Sequence, residues 1–214
     1  MKTGLAIITF SLSALSFVLL VLLHFLEPQF DPNWHFVSEY ALGPWGWLMS
    51  SLFLLLALAC WTLVPAMWRH LPKWGGRLGL ALVVLGGLAL AIAAFNATDP
   101  ILSAANQITD HGKIHGLMAM IGNPALATGM LVTSLALGRR SQSSSRPLIL
   151  ASGILPWLCI MVMFATIGIS LPAAGSFGPG VPIGWPNRMV FFAYELWLAA
   201  TGIILFKRRS LNAS

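Results

Sequence analysis

Six long apolar stretches constrain this chain more than any other feature of its sequence. A helix needs roughly 20 apolar residues to cross a bilayer core of about 30 Å, and each stretch approaches or exceeds that length. None alternates polar with apolar residues, as the strands of a membrane barrel do. Because backbone groups in lipid must hydrogen-bond within their own segment, we predict helices. The predicted spans are residues 4–26, 44–68, 78–95, 111–137, 148–171 and 189–206.

The composition excludes a soluble fold. Of the 214 residues, 57% are hydrophobic and 8% are charged, whereas a soluble domain carries about 25% charged residues. The six spans use up most of the chain, so we predict a single domain over residues 1–214. The predicted fold class is an all-α integral membrane protein, a six-transmembrane-helix bundle. Membrane lipids are its expected partners, and a homo-oligomer stays open.

The basic residues predict how this bundle is oriented. Ten of the twelve lie beside alternate ends of the predicted spans, on one side of the membrane. The positive-inside rule then places both termini in the cytoplasm, and the connectors 27–43, 96–110 and 172–188 outside the plasma membrane. The net charge of +6 thus reflects topology, and no interleaved aromatic and basic surface indicates nucleic acid. The ten residues are Lys2, Arg69, Lys73, Arg77, Arg139, Arg140, Arg146, Lys207, Arg208 and Arg209.

Two histidines at the start of the fourth span are candidates for chemistry. His111 and His115 are four residues apart, so both imidazoles project from one helical face. Together with Asp110 they offer the nitrogen and carboxylate ligands that a divalent metal takes. The alternative is that both histidines bind loop carbonyls and water at the membrane surface. Haem is disfavoured, because a transmembrane cytochrome normally needs ligands near both faces and the cytoplasmic side offers only His70.

Glu195 is an ionisable residue inside the last predicted span. It follows Arg188 by seven residues, which is two helical turns and about 10 Å, so both side chains point the same way. An ionisable group at that depth marks either a function or an internal pair. Glu195 is therefore a functional candidate, and the alternatives are a neutral carboxyl or a bond to Arg188 or His24.

Four short motifs occur in order at the outward ends of the spans. They are Val37-Ser38-Glu39-Tyr40, Phe95-Asn96-Ala97-Thr98-Asp99-Pro100, His115-Gly116 and Gly184-Trp185-Pro186-Asn187-Arg188. This ordered set resembles the DUF998 family of six-span bacterial and archaeal membrane proteins. It is more distantly similar to the FRAG, DRAM and Sfk group, which includes factors acting on GPI-anchored lipids and on membrane lipid distribution. The resemblance implies a six-helix fold with an outward polar cluster, but no reaction. The family's motif residues fall on Ser38, Glu39, Asp99, His115 and Arg188.

The leading hypothesis for function is a membrane protein of unassigned activity whose outward polar pocket binds a small polar ligand, an ion or a lipid headgroup. One alternative is a metal-dependent hydrolase or transferase acting on lipid, with Glu39 or Asp99 as base. Another is a proton-coupled carrier with Glu195 as relay. The cofactor stays open, with a divalent metal as one alternative. The predicted metal ligands are His111, His115 and Asp110. The predicted ligand-binding residues are Ser38, Glu39, Asp99, His111, His115, Arg188 and Glu195.

Overall fold

The chain folds into six long helices, as its sequence predicts. The structure is a computed structural model that describes residues 2–71, 74–138 and 146–210, and these residues form no strand. All six helices are long and apolar enough to span a membrane, so the chain is a multi-pass membrane protein. The helices are α1 (Lys2–Leu26), α2 (Gly46–Met67), α3 (Trp74–Ala94), α4 (Asp110–Gly138), α5 (Arg146–Ala174) and α6 (Gly184–Ser210).

The helices pack in a ring in which each one contacts its neighbours along the chain. Helix α6 closes the ring on α1 and also touches α2 across it. The closest packing joins α3 to α4, where small residues let the backbones approach. A Cβ added at Gly129 would lie 2.7 Å from the backbone nitrogen of Val83 and 2.8 Å from the carbonyl oxygen of Gly79. Small residues at such contacts are typical of helix association in membranes.

The last two helices are longer than the sequence pattern predicts. Helix α5 continues to Ala174 and α6 begins at Gly184, so the connector between them is 175–183 rather than 172–188. Pro186 falls in the first turn of α6, where a helix needs no backbone N–H donor. Arg188 therefore belongs to the helix rather than to the connector before it.

The two ends of the bundle differ in charge and in the length of their connectors. The first end, called the polar end below, consists of connectors 27–45, 95–109 and 175–183 with the adjoining helix termini. The opposite, basic end carries Arg69, Arg77, Arg146 and Lys207. Lys73, Arg139 and Arg140 lie outside the described residues. The placement of the basic end in the cytoplasm stays a prediction from the positive-inside rule.

Candidate functional site

A cavity of about 380 Å³ lies among α2, α3, α4, α5 and α6 beside the polar end. Its size is within the range of about 300–1,000 Å³ that is usual for ligand sites, and such sites are mainly apolar with a few placed polar groups. Most of its walls are apolar side chains such as Phe53, Leu126 and Met163. The polar side chains that line it are Ser38, Thr98, His115, Asn123 and Asn187.

The cavity reaches the outer surface of the bundle between α4 and α5. Met120 on α4 and Phe164 on α5 both line the cavity, yet they are 69% and 59% exposed. In a six-span membrane protein, the exposed apolar flank of the bundle faces lipid. The cavity thus has polar side chains near the polar end of the bundle and an apolar opening between α4 and α5.

His115 contributes the basic group of the cavity wall. It is 6% exposed, and its Nδ1 lies 2.8 Å from the carbonyl oxygen of Asn96, at the end of α3. A carbonyl oxygen can only accept, so Nδ1 carries the hydrogen and Nε2 keeps a lone pair. Among the described residues the ring's hydrogen bond is the one from Nδ1 to Asn96, and the backbone of Ala93 is a second neighbour of the ring. His115 therefore offers the cavity the Nε2 lone pair as an acceptor.

Two asparagines that the sequence analysis did not select also line the cavity. The Oδ1 of Asn187 accepts a 2.9 Å hydrogen bond from the backbone of Val37, which attaches the first connector to α6. The backbone and side-chain oxygens of Asn123 both lie 3.2 Å from the hydroxyl of Tyr194. A signal was available for each, because Asn187 lies next to Arg188 in its motif and Asn123 is an amide inside an apolar span.

Glu39 fastens the first connector to the second. Its Oε2 accepts from the backbone of Phe36 and its Oε1 from the backbone of Ile101, both at 2.9 Å. The Nδ1 of His35 approaches Oε2 to 3.0 Å, but the two groups are not aligned as a hydrogen bond. The side chain is 1% exposed. Both carboxylate oxygens are therefore engaged by the protein's own backbone.

Asp99 holds the N-terminus of α4. Its two oxygens accept from the backbone nitrogen and the hydroxyl of Thr109, each at 2.9 Å. That hydroxyl in turn accepts from the backbone of Gly112 at 3.0 Å, as an N-cap side chain does. The carboxylate thus orients the cap and places negative charge at the positive end of the helix.

Glu27 plays the same part at the N-terminus of α2, although the sequence analysis did not select it. It is fully buried, and its carboxylate accepts from the backbone of Trp45 and from the side-chain amide of Gln29. Gly43 is required beside it, because a Cβ at that position would overlap the Glu27 carboxylate. Buried carboxylates need such donors to offset their lost hydration.

Arg188 is a buried guanidinium, 4% exposed, whose hydrogen-bond acceptors are all neutral among the described residues. Its Nη1 donates to the carbonyl oxygens of His35 at 2.8 Å and Gly184 at 3.0 Å, and its Nη2 donates to the hydroxyl of Tyr40 at 2.8 Å. Burial raises the pKa of Tyr40, against the opposing effect of the Arg188 charge. Arg188 thus ties the first connector to α6.

The predicted site residues separate into three groups in the structure. Ser38 and His115 line the cavity. Four others lie at the polar end of the bundle and do not line the cavity: Glu39, Asp99, His111 and Arg188. Glu195 lies apart from both groups, at the contact of α1 with α6, where its Oε1 is 3.1 Å from the hydroxyl of Ser16.

The three predicted metal ligands do not come together. His115 is buried with its Nδ1 on the Asn96 carbonyl, whereas His111 is exposed with its Nδ1 3.0 Å from the Asn96 side-chain oxygen. Asp110 is exposed and pairs with Lys113 at 2.8 Å. No group of three His, Cys, Asp or Glu side chains is arranged to hold a metal ion in the part of the chain that the structure describes.

Comparison with known proteins supplies a family. A family model described as a protein of unknown function (DUF998) matches residues 11–204. The matched range contains every candidate residue discussed above and confirms the resemblance read from the motifs. No curated protein and no solved structure matches the chain.

Proposed function

The chain belongs to the DUF998 family, whose description assigns no function, and we propose that it binds an amphiphilic membrane molecule in the cavity among helices α2 to α6. The occupant has an apolar chain and a small, uncharged headgroup that carries hydroxyl groups. The observation that carries this proposal is the amphipathic wall, with His115 and its polar neighbours at one end and apolar side chains over the rest.

The polar groups on the wall favour an uncharged headgroup. Among the described residues that line the cavity there is no Lys, Arg, Asp or Glu, so neither a phosphate nor an ammonium group meets an opposite charge there. The Nε2 lone pair of His115 accepts a hydrogen bond, and a headgroup hydroxyl can donate one. The side-chain hydroxyl of Ser38 and the amide of Asn187 offer further donors.

The lateral opening favours entry from the bilayer. An acyl chain that enters between Met120 and Phe164 would exchange contacts with lipid for contacts with apolar side chains. Its headgroup could meanwhile stay near the polar end of the bundle. In this proposal the polar end faces outward, as the positive-inside rule predicts.

The rival hypotheses receive less support from the geometry. A metal-dependent hydrolase needs a ligand set that His111, His115 and Asp110 do not form. A carrier that uses Glu195 as its relay needs this carboxyl beside the substrate, and Glu195 does not line the cavity. Amphiphile binding is therefore the function that the geometry supports best.

Photocrosslinking in bilayers tests this proposal. The probe is a monoacylglycerol with a diazirine in its acyl chain, and a phosphatidylglycerol with the same chain is the charged comparison. We expect the monoacylglycerol to label α4 and α5 around Met120 and Phe164 and to exceed the anionic lipid at these sites. Ala119→Phe, which places a ring in the cavity, should reduce the labelling at least about fivefold, consistent with a loss of about 1 kcal/mol. Ala165→Phe, an exposed position of α5 that does not line the cavity, is the matched control.

Two results would contradict the proposal. One is equal labelling in Ala119→Phe and Ala165→Phe, since the cavity would then not determine where the probe binds. The other is preferential labelling by phosphatidylglycerol, since an uncharged headgroup would then not be the one selected.

A further inference from the structure

A stripe of hydroxyl side chains follows the buried face of α1. Thr9, Ser13 and Ser16 are spaced four and three residues apart, which places them on one side of the helix, and each is at most 1% exposed. The hydroxyl of Thr9 lies 3.0 Å from that of Thr62 on α2. Ser13 and Ser16 contact α6 instead, at Glu195.

Glu195 is held at the contact of α1 with α6 through both its backbone and its side chain. The hydroxyl of Ser13 donates to the Glu195 carbonyl oxygen at 2.7 Å. The hydroxyl of Ser16 lies 3.1 Å from Oε1, and its single hydrogen goes to the Ser13 carbonyl oxygen at 2.8 Å. The second carboxyl oxygen, Oε2, is buried and has no hydrogen-bond partner among the described residues. The whole residue is 3% exposed, so solvent does not supply that partner.

Among the described residues, no Lys, Arg or His forms an ion pair with this carboxyl. The hydroxyl of Ser16 is the polar side chain that reaches the carboxyl, and no charged side chain in the described parts of α1, α2, α5 or α6 forms an ion pair with it. The other ionisable groups within the described parts of α2 and α5 include the buried thiols of Cys60 and Cys159, which carry no positive charge. Arg188, two turns away on α6, donates its hydrogen bonds to neutral acceptors instead. A carboxylate at this depth would be both desolvated and unpaired, which membranes disfavour strongly.

We propose that Glu195, with Ser13 and Ser16, forms a proton-binding site inside the membrane, and that its bound proton permits α1 to pack on α6. The proton resides on Oε1 and is donated to the Ser16 oxygen, whose own hydrogen goes to the Ser13 carbonyl oxygen, while Oε2 is the uncharged carbonyl oxygen. Removing this proton would leave an unpaired negative charge at the contact of α1 with α6. The Glu195 side chain would then have to move out of this contact. This site is separate from the amphiphile cavity, which Glu195 does not line.

Infrared difference spectroscopy of the full chain in lipid nanodiscs tests the proposal. At neutral pH we expect a carbonyl-stretch band of a protonated carboxyl that shifts in heavy water. Glu195→Gln should remove this band while leaving the fold intact, since glutamine is neutral and of similar shape. Ser16→Ala should move the band to higher frequency, because the carboxyl group loses its hydrogen-bond partner. Asp110→Asn, a change at an exposed acid of the polar end, should leave the band unchanged.

Three outcomes would overturn the proposal. The first is the absence of a protonated-carboxyl band at neutral pH in the wild-type protein. The second is a band that survives in Glu195→Gln, because another acid would then be its source. The third is loss of the band when sodium chloride replaces choline chloride at constant pH, because the bound cation would then be sodium rather than a proton. If Glu195→Gln does not fold, the band position in Ser16→Ala decides whether Glu195 is the protonated group.

Discussion

Arg188 and His24 are joined by a 2.8 Å hydrogen bond from Nε to Nε2, across the contact of α6 with α1. The Nδ1 of His24 lies 2.7 Å from the Leu20 carbonyl oxygen and must carry the hydrogen, so Nε2 accepts from the guanidinium as a neutral imidazole. Two turns deeper, Glu195 meets Ser16 on the same pair of helices. Arg188 and Glu195 of α6 thus both face α1, but they do not contact each other.

Replacing His24 with alanine should destabilise the protein by about 1–3 kcal/mol, because a buried charged donor of Arg188 then loses its acceptor. His24→Gln should recover part of that loss, because its amide oxygen can accept. The measurement is thermal unfolding in detergent followed with a thiol-reactive dye, since the buried Cys60 and Cys159 react when the bundle opens. Equal stability of His24→Ala and the wild type would show that this bond contributes nothing.

Gly112→Ala should lower stability, whereas Gly116→Ala one turn later on α4 should not. A Cβ at position 112 would overlap the Asp99 carboxylate, which is fixed by two bonds to Thr109 and cannot move without releasing the helix cap. Overpacking of this kind costs about 1–3 kcal/mol. Position 116 has nothing within 4 Å of the added atom. The same thiol-reactive assay compares the pair, and equal melting temperatures would contradict the proposed capping by Asp99.

The helices could be predicted from the sequence because a run of apolar residues is local information. The start of α6 could not, because its first turns, around Pro186 and Arg188, are not apolar enough to be read as a membrane span. These turns are stabilised instead by bonds from Arg188 to His24, His35 and Tyr40, more than 140 residues away in the chain.

The candidate site was less predictable for a related reason. Residue type indicates that Glu39 and Asp99 can bind a ligand or a proton, but it does not reveal which donors they meet. One of the two donors to Glu39 is a backbone N–H 62 residues away, at Ile101, and no sequence pattern marks it. The cavity itself is formed by side chains from five helices and two connectors, so only His115 and Ser38 could be selected in advance, from the motifs that contain them.

The orientation of the bundle gives a topology prediction. In a background with Cys60 and Cys159 changed to serine, Ser176→Cys should react with a membrane-impermeant maleimide on intact cells, and Gly75→Cys should react only after lysis. Both positions are exposed, and they lie at the polar and the basic end respectively. The expectation follows from the arginines and lysines that collect at the basic end. The reverse labelling pattern would place the polar end and its cavity on the cytoplasmic side.

Glu39→Gln should weaken amphiphile binding more than it weakens the fold. An amide keeps one acceptor oxygen, so either Phe36 or Ile101 loses its partner and meets an NH₂ group instead. The first and second connectors, which bring Ser38 and Thr98 to the cavity, would then separate. We expect monoacylglycerol photolabelling to fall about fivefold or more, as a loss of about 1 kcal/mol implies.

The matched control for Glu39→Gln is Glu27→Gln, a change at an equally buried carboxylate that accepts from Trp45 and Gln29 but has no bond to the second connector. It should also lower the melting temperature, because its NH₂ group would face the N–H donor of either Trp45 or Gln29 in place of a carboxylate oxygen. Its photolabelling should stay near that of the wild type once the folded fraction is accounted for. If both variants lose labelling in proportion to stability alone, Glu39 supports the fold in general and does not specifically position the cavity wall.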